Sequence, residues 1–100
     1  MNVKKFIFAD SPRESKVLSV GMIFYIEYKD IFVILAQVSE TEVALISLLS
    51  GNRWNSPTEV KDPKAISEKE WHQISNRYNS NNSIEFIGCL QNVGGEMLLF

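Results

Sequence analysis

Cysteine and histidine are almost missing from this chain of 100 residues, which has only Cys89 and His72. A lone cysteine cannot form an intramolecular disulfide, and a structural zinc usually takes four cysteine or histidine ligands. No glycine-rich phosphate loop with its lysine precedes a helix either. The sequence therefore predicts no disulfide framework, no metal site and no cofactor.

Long apolar runs are also missing. The longest uninterrupted run lies at residues 31–36 and is far shorter than the roughly 20 residues that span a bilayer. The first twenty residues lack the charged start, apolar core and small-residue cleavage site of a signal peptide. We expect a mature cytoplasmic protein with no membrane contact.

Neither sign of charge is in strong excess. Ten lysines and arginines face twelve aspartates and glutamates, which gives a net charge of −2. A nucleic-acid-binding domain is usually strongly basic, so this balance disfavours that class without excluding a local patch. Lys61, Lys64 and Arg77 are the basic residues that such a patch would need to combine with aromatic side chains.

The composition that is present is that of an ordinary globular protein, with 45% apolar and 22% charged residues. A chain of this length forms one domain and buries roughly 65% of the surface that it exposes when unfolded. We predict a single small β-rich domain over residues 1–100. Its core would span about residues 20–91, with terminal strands at 3–9 and 96–100.

Most of the chain has the composition of β-strands joined by short polar turns. Lys29-Asp30, the Ser39–Glu42 segment and the Gly94-Gly95 pair are turn signals, and Pro57 restricts its strand to an edge or a bulge. We read residues 10–12 as a turn and residues 13–17 as a charged connection. The predicted strands, rich in β-branched and aromatic residues, are 3–9, 20–28, 31–38, 43–49, 53–60, 83–91 and 96–100.

One helix is predicted after the strands. Ser67 and Glu70 have the spacing of a capping box, in which each side chain accepts a hydrogen bond from the backbone of the other residue. Trp71, Ile74 and Tyr78 then recur at helical spacing and would turn one face toward the sheet. The sequence thus predicts two to three turns of amphipathic helix.

The strand at 31–38 carries architectural information because both of its faces are apolar. A one-sided antiparallel sheet would alternate apolar and polar residues. This strand is therefore expected to be covered on both sides, by closure into a barrel or by a second subunit. We predict a mainly β fold with one short helix, in the form of a small SH3-like antiparallel barrel. The alternative is an open antiparallel sheet packed on one helix.

No group of residues has the pattern of an active site. His72 lies on the helix on a flank expected to face solvent, and Cys89 follows Gly88 in an apolar strand where nothing nearby would activate a thiol. Glu68 and Glu70 favour the helix N-terminus electrostatically, which accounts for that carboxylate pair. We therefore expect a protein that is not an enzyme.

Arg53 and Trp54 are the strongest candidates for a binding site. They follow the Ser50-Gly51-Asn52 turn, and arginine and tryptophan are enriched in interface hot spots. In the alternative interpretation Trp54 fills one end of the core and Arg53 covers an edge. The complete predicted binding set is Arg53, Trp54, Asn55, Tyr25 and Tyr28.

The segment "GMIFYIEYKDIFVILAQVSETEVALISLLSGNRWNSPTEV", with "ISEKEW" behind it, resembles small β-rich proteins encoded by prophages and integrative elements. The shared pattern has a glycine-led strand, an L-I-S-L strand, a G-N-R-W turn and a serine–glutamate helix start. It covers about residues 21–74. The resemblance implies a small β-rich accessory protein and brings no catalytic residue. It favours a role in the biology of mobile elements, such as binding a host or phage protein, and does not specify which.

The leading hypothesis is a non-enzymatic module that binds a protein partner around Arg53 and Trp54. A nucleic-acid-binding SH3-like module and a purely structural homo-oligomer are the alternatives. The apolar residues 96–100 are expected to pair as an edge strand, with residues 3–8 or with another chain. A homodimer is therefore expected as well.

Overall fold

The computed structural model of the protein describes residues 6–7, 16–75 and 84–99. The chain in these ranges forms eight strands, one α-helix and a 3₁₀ turn at Glu27–Lys29. The regular elements are β1 (Phe6–Ile7), β2 (Lys16–Val17), β3 (Met22–Ile26), β4 (Ile31–Gln37), β5 (Glu42–Ser47), β6 (Thr58–Glu59), α1 (Glu68–Ser75), β7 (Ile84–Val93) and β8 (Glu96–Leu99).

Six of the strands form one antiparallel sheet in the order β6-β5-β4-β3-β7-β8. The predicted meander from β3 to β6 is confirmed, and β6, which follows Pro57, is an edge strand. β8 pairs with β7, and of the predicted partner strand at residues 3–8 the described residues 6–7 do not pair with β8. β1 pairs instead with β2, in parallel, and β2 lies where we predicted a charged connection. The remainder of the predicted strand at 3–9 lies outside the described residues.

The closed SH3-like barrel is wrong, and the alternative, an open antiparallel sheet packed on one helix, is confirmed. Closure would require β6 and β8 to hydrogen-bond to each other. In the described part of the chain, β6 has two residues and pairs with β5, while β8 pairs with β7 at the opposite edge. The chain instead leaves β6, passes through α1 and places β7 beside β3.

Residues directly opposite each other in an antiparallel pair share a face of the sheet, so the register divides the sheet into two faces. The inner face carries Phe24, Val33 and Leu45 and packs against α1, where the Trp71 ring stacks on Phe24 with centroids 4.9 Å apart. Ile74 is buried in the same core. The predicted apolar helix face is confirmed at Trp71 and Ile74, while Tyr78 lies outside the described residues.

The opposite side of the sheet, named here the outer face, is also apolar. Strand alternation and register place on it Ile23, Tyr25, Phe32, Ile34, Ala36, Ala44 and Ile46. Phe32 is 41% exposed, whereas Val33 beside it on the inner face is fully buried. The described helix covers the inner face alone. The two apolar faces of β4 thus have different surroundings.

The capping box at the start of α1 is confirmed and extends further than predicted. Ser67 Oγ accepts the Glu70 N–H at 3.2 Å, and Glu70 Oε1 accepts the Ser67 N–H at 3.0 Å. Glu70 Oε2 also accepts the Lys61 N–H at 2.8 Å. Partial burial, the largest single effect, opposes ionisation of Glu70, but these backbone bonds together with the Ser67 hydroxyl and the Lys61 charge outweigh it. The pKa of Glu70 is therefore lowered.

β7 pairs with two different strands along its length. Its first part pairs with β3, its last part pairs with β8, and the register shifts between Ile23 and Phe24 of β3 because Ile87 is an extra residue. Gly21, at the start of β3, accepts the Leu90 N–H at 2.8 Å and has a φ of +97°. The β7–β8 turn uses Gly94 and Gly95, both with positive φ, as predicted.

Candidate functional site

The candidate catalytic residues, His72 and Cys89, lie apart from each other. His72 is exposed on α1 with Nε2 3.7 Å from Glu68 Oε1, while Cys89 is buried in the core. Within the described ranges, no group of three or more histidine, cysteine, aspartate or glutamate side chains has the arrangement of a metal site. No helix among those residues is long and apolar enough to cross a membrane.

Arg53 and Trp54 lie on opposite faces of the sheet. Arg53 forms an antiparallel bridge with Ile46, which places the exposed arginine on the outer face. Trp54 is half-buried, packs against the inner core and donates its backbone N–H to the Leu45 carbonyl at 2.6 Å. The two neighbours therefore do not form one patch. Trp54 packs against the core, in the position that the alternative interpretation expected for it.

Asn55 has a structural position. Its Oδ1 accepts the Leu45 N–H at 2.9 Å, and its Nδ2 donates to the Ile74 carbonyl at 2.6 Å. The side chain thus extends the hydrogen bonding of β5 and ties that strand to the last turn of α1. Sequence spacing alone carries no signal for such a bond.

Tyr25 lies on the outer face with Arg53. Its ring packs on Phe32 with centroids 5.0 Å apart, and its hydroxyl donates to Asp30 Oδ1. That hydrogen bond is the largest cause of a raised pKa at Tyr25, and the negative charges of Asp30, Glu27 and Glu85 add to it. Tyr28 belongs to the 3₁₀ turn, and its side chain lies outside the part that the structure describes.

The outer face continues into the β5–β6 turn. Leu48, whose N–H bonds to the Phe32 carbonyl, is 49% exposed, and Leu49 is 93% exposed. A shallow cavity of about 390 Å³ opens here, lined by Asp30, Ile31, Phe32, Leu48 and Leu49. Our predicted site omitted Phe32, Leu48 and Leu49. The signal for Phe32 was present in the two-sided apolar pattern of residues 31–38.

Two of the three basic residues considered for nucleic-acid binding lie on the other side of the sheet from Tyr25 and Phe32. Lys61 and Lys64 lie in the loop from β6 to α1, whose Val60 and Ile66 pack in the inner core. Tyr25 and Phe32 lie on the other face of the sheet. Arg77 lies outside the described residues.

The candidate site is therefore the exposed part of the outer face, with Phe32 and Leu48 on it, Tyr25 half-buried beside them and Arg53 at one side. Ile23 and Ala44 on the same face are buried. The side chains of the exposed part provide apolar area and charge for binding. They do not include a nucleophile with a base beside it. No protein-family model matches this chain, and comparison with curated proteins and with solved structures found no relative. The resemblance to proteins of mobile elements stays a prediction.

Proposed function

We propose that this protein is a non-enzymatic interaction module that binds a protein partner through the outer face. The observation that carries the proposal is the unequal burial of one central strand. On the inner face of β4, Val33 and Leu35 are fully buried, whereas Phe32 on the outer face is 41% exposed. Central strands are usually covered on both sides when both sides are apolar.

The chemistry of this surface suits a protein partner. Contiguous exposed apolar area is uncommon on a protein that functions alone, and it marks interaction sites when polar groups rim it. Tyr25 and Phe32 provide rigid aromatic area, and Arg53 and Asp30 provide charged groups at the rim. We assign the binding site to Tyr25, Phe32, Leu48 and Arg53, with Trp54 and Asn55 supporting the sheet.

The proposed biological setting rests on the resemblance alone. A small accessory protein of a prophage or integrative element that binds a host or phage protein would need such a surface and no catalytic group. Cytoplasmic location belongs to this same proposal.

Affinity capture from a host-cell lysate tests the module, with Phe32→Glu and Leu98→Glu as matched baits. Both variants add one carboxylate at an apolar residue of similar exposure, 41% at Phe32 and 40% at Leu98, but Leu98 is opposite Gln91 in the register and lies on the other side of the sheet. A protein captured by wild type and Leu98→Glu and lost with Phe32→Glu supports the proposal. Circular dichroism checks that both variants fold.

Two outcomes count against the module. If all baits recover the same proteins, the outer face is not the binding site. If the captured material disappears after nuclease treatment, the partner is a nucleic acid and the alternative function replaces this one.

A further inference from the structure

Exposed apolar side chains are concentrated on the hairpin of β7 and β8. Each of four such residues is between 40% and 56% exposed, namely Val93, Met97, Leu98 and Leu99. Side chains alternate along a strand, so Leu98 lies on one side of the hairpin and Met97 and Leu99 lie on the other. In the described part of the chain, neither side of this hairpin is therefore fully covered.

The hairpin is a two-stranded ribbon that extends beyond the rest of the sheet. The Leu90 N–H donates to the Gly21 carbonyl at 2.8 Å, just before β3 begins. β7 continues past Leu90 to Val93, and β8 pairs with this continuation alone. We name residues 90–99 the hairpin arm. Two strands by themselves are marginally stable in water, and three or more are usually needed.

One edge of the hairpin arm leaves backbone groups without a partner strand in the described part of the chain. Because the Leu90 N–H points to Gly21, away from β8, Leu90 and its partner Leu99 form a non-hydrogen-bonded pair. The N–H and C=O of Leu99 therefore point away from β7, and those of Met97, two residues earlier, do the same. β8 is the last of the described strands in the sheet order. Such an edge readily accepts an added strand.

We infer that this edge binds the β8 edge of a second copy of the chain, antiparallel, with a two-fold axis between the two Leu98 residues. The register places Leu98 opposite Leu98 and, twice by symmetry, Met97 opposite Leu99. Each of these Met97–Leu99 pairs then exchanges two backbone hydrogen bonds. The two hairpin arms become one sheet of four strands, which supplies the neighbouring strands that each arm lacks alone.

Side-chain chemistry favours this register over its neighbour. Each of Met97, Leu98 and Leu99 faces an apolar residue of the second copy, and the two Glu96 residues lie about 14 Å apart. An axis shifted to Met97 pairs one outward residue of each copy instead of two. It also brings the two Glu96 residues to about 8 Å from each other on the same side of the sheet, which is unfavourable.

The opposite edge of the sheet does not offer a matching strand. β6 consists of Thr58 and Glu59 and follows Pro57, which limits pairing at that edge. Pairing of β8 with β6 of the next copy would also repeat without closing and give an open-ended filament. Pairing of β8 with itself closes after two copies.

The contact is small, because four backbone hydrogen bonds and three side chains of each copy form it. Its size lies at the low end for specific complexes, so we expect a reversible dimer that dissociates on dilution. Phe32 lies on β4, which is separated from β8 by β3 and β7. The dimer therefore leaves the exposed part of the outer face free for another protein.

Disulfide cross-linking at single positions tests the register. Residues directly opposite in a non-hydrogen-bonded pair have Cα atoms about 4.5 Å apart, within the range of a disulfide. With oxidised glutathione as the oxidant, Leu98→Cys should therefore give at least tenfold more covalent dimer than two control variants. The controls are Met97→Cys and Val93→Cys, exposed on the same hairpin, whose Cα atoms would be about 8 Å and about 20 Å from their symmetry mates. Non-reducing electrophoresis measures the dimer, and wild type, whose Cys89 is buried, gives the background.

Sedimentation velocity over a hundredfold range of concentration tests the dimer without cross-linking. Met97→Pro removes an N–H that the second copy needs, and proline is tolerated on an edge strand where that N–H faces solvent. Met97→Val keeps the N–H. Met97→Pro should dissociate at least tenfold more readily than wild type and Met97→Val. Circular dichroism confirms that each variant folds.

The outcomes that overturn the inference are distinct from those that overturn the proposed function. Equal cross-linking at the three positions, or none at Leu98, overturns the arrangement, and a wild-type chain that is monomeric at about 1 mM overturns the dimer. If wild type is monomeric and captures a foreign protein that Met97→Pro loses, the edge binds a foreign strand instead of a second copy. Phe32→Glu leaves the hairpin arm unchanged and should dimerise as wild type does, so the dimer and the outer-face module fail independently.

Discussion

Asn55 gives the sharpest prediction about stability, because one side chain joins two elements. Asn55→Ala removes the acceptor of the Leu45 N–H and the donor to the Ile74 carbonyl. Leaving a buried polar group without its partner costs roughly 1–3 kcal/mol. Both bonds are partly buried, so we expect a total loss of about 2–4 kcal/mol in the free energy of unfolding.

Urea denaturation measures this loss as a lower midpoint at an unchanged slope. A drop of 2 kcal/mol corresponds to a melting temperature lower by at least about 8 °C for a domain of this size. Asn52→Ala is the matched control, since Asn52 is exposed in the preceding turn, and it should change stability by no more than about 0.5 kcal/mol.

Asn55→Asp separates the two bonds. The carboxylate still accepts the Leu45 N–H but faces the Ile74 carbonyl oxygen without a proton to donate. We expect a loss at neutral pH at least as large as that of the alanine variant, with part of it recovered at low pH where the protonated acid donates. If Asn55→Ala is as stable as Asn52→Ala, the clamp does not stabilise the fold and the reasoning is refuted.

Three further predictions concern single groups. Because the pKa of Glu70 is lowered in the folded protein, its ionised form stabilises the fold above its ordinary pKa of 4.5. This stabilisation is lost as the pH falls through the pKa of the folded state. Urea denaturation should therefore show wild type more stable than Glu70→Gln at neutral pH and no difference between them in acid. Gly21→Ala places a Cβ 3.3 Å from the Leu90 carbonyl oxygen, so it should lower the free energy of unfolding by about 1–3 kcal/mol. Gly51→Ala, whose Cβ meets no atom within 4 Å, should lower it less. Equal urea midpoints for the two variants would contradict the contact. Asp30→Asn should lower the raised pKa of Tyr25 toward 10.0 in an ultraviolet titration, and no change would show that the hydrogen bond is not its cause.

Much of the secondary structure follows from short-range chemistry and was predictable. Ser67 and Glu70 specify the helix start through their own hydrogen bonds. The Gly94-Gly95 pair specifies a hairpin because two adjacent residues with positive φ suit the twist of the strands. These signals lie within a few residues of the structure they produce, so no knowledge of the fold is needed.

The architecture was less predictable, because a strand with two apolar faces does not state what covers each face. We placed a barrel wall there, whereas the sheet is open and Phe32 stays exposed. The site prediction joined Arg53 and Trp54 because they are adjacent in sequence. Side chains alternate along extended backbone, so adjacency of this kind separates them. The Asn55 bonds depend on α1 reaching β5, which no local pattern reports.

The position of β3 between β4 and β7 has a consequence for the chain as it is synthesised. β4 and β5 follow β3 closely and can pair with it early, but the strand on its other side is made of residues 84–89. Until those residues emerge from the ribosome, Met22–Ile26 is an edge strand with apolar side chains and unsatisfied backbone groups. The inner core also lacks Phe86 during that time. We expect nascent chains stalled at residue 75 to recruit chaperones and chains in which residues 84–89 have emerged to lose them, so the growing protein is most prone to aggregation just before β7 is made.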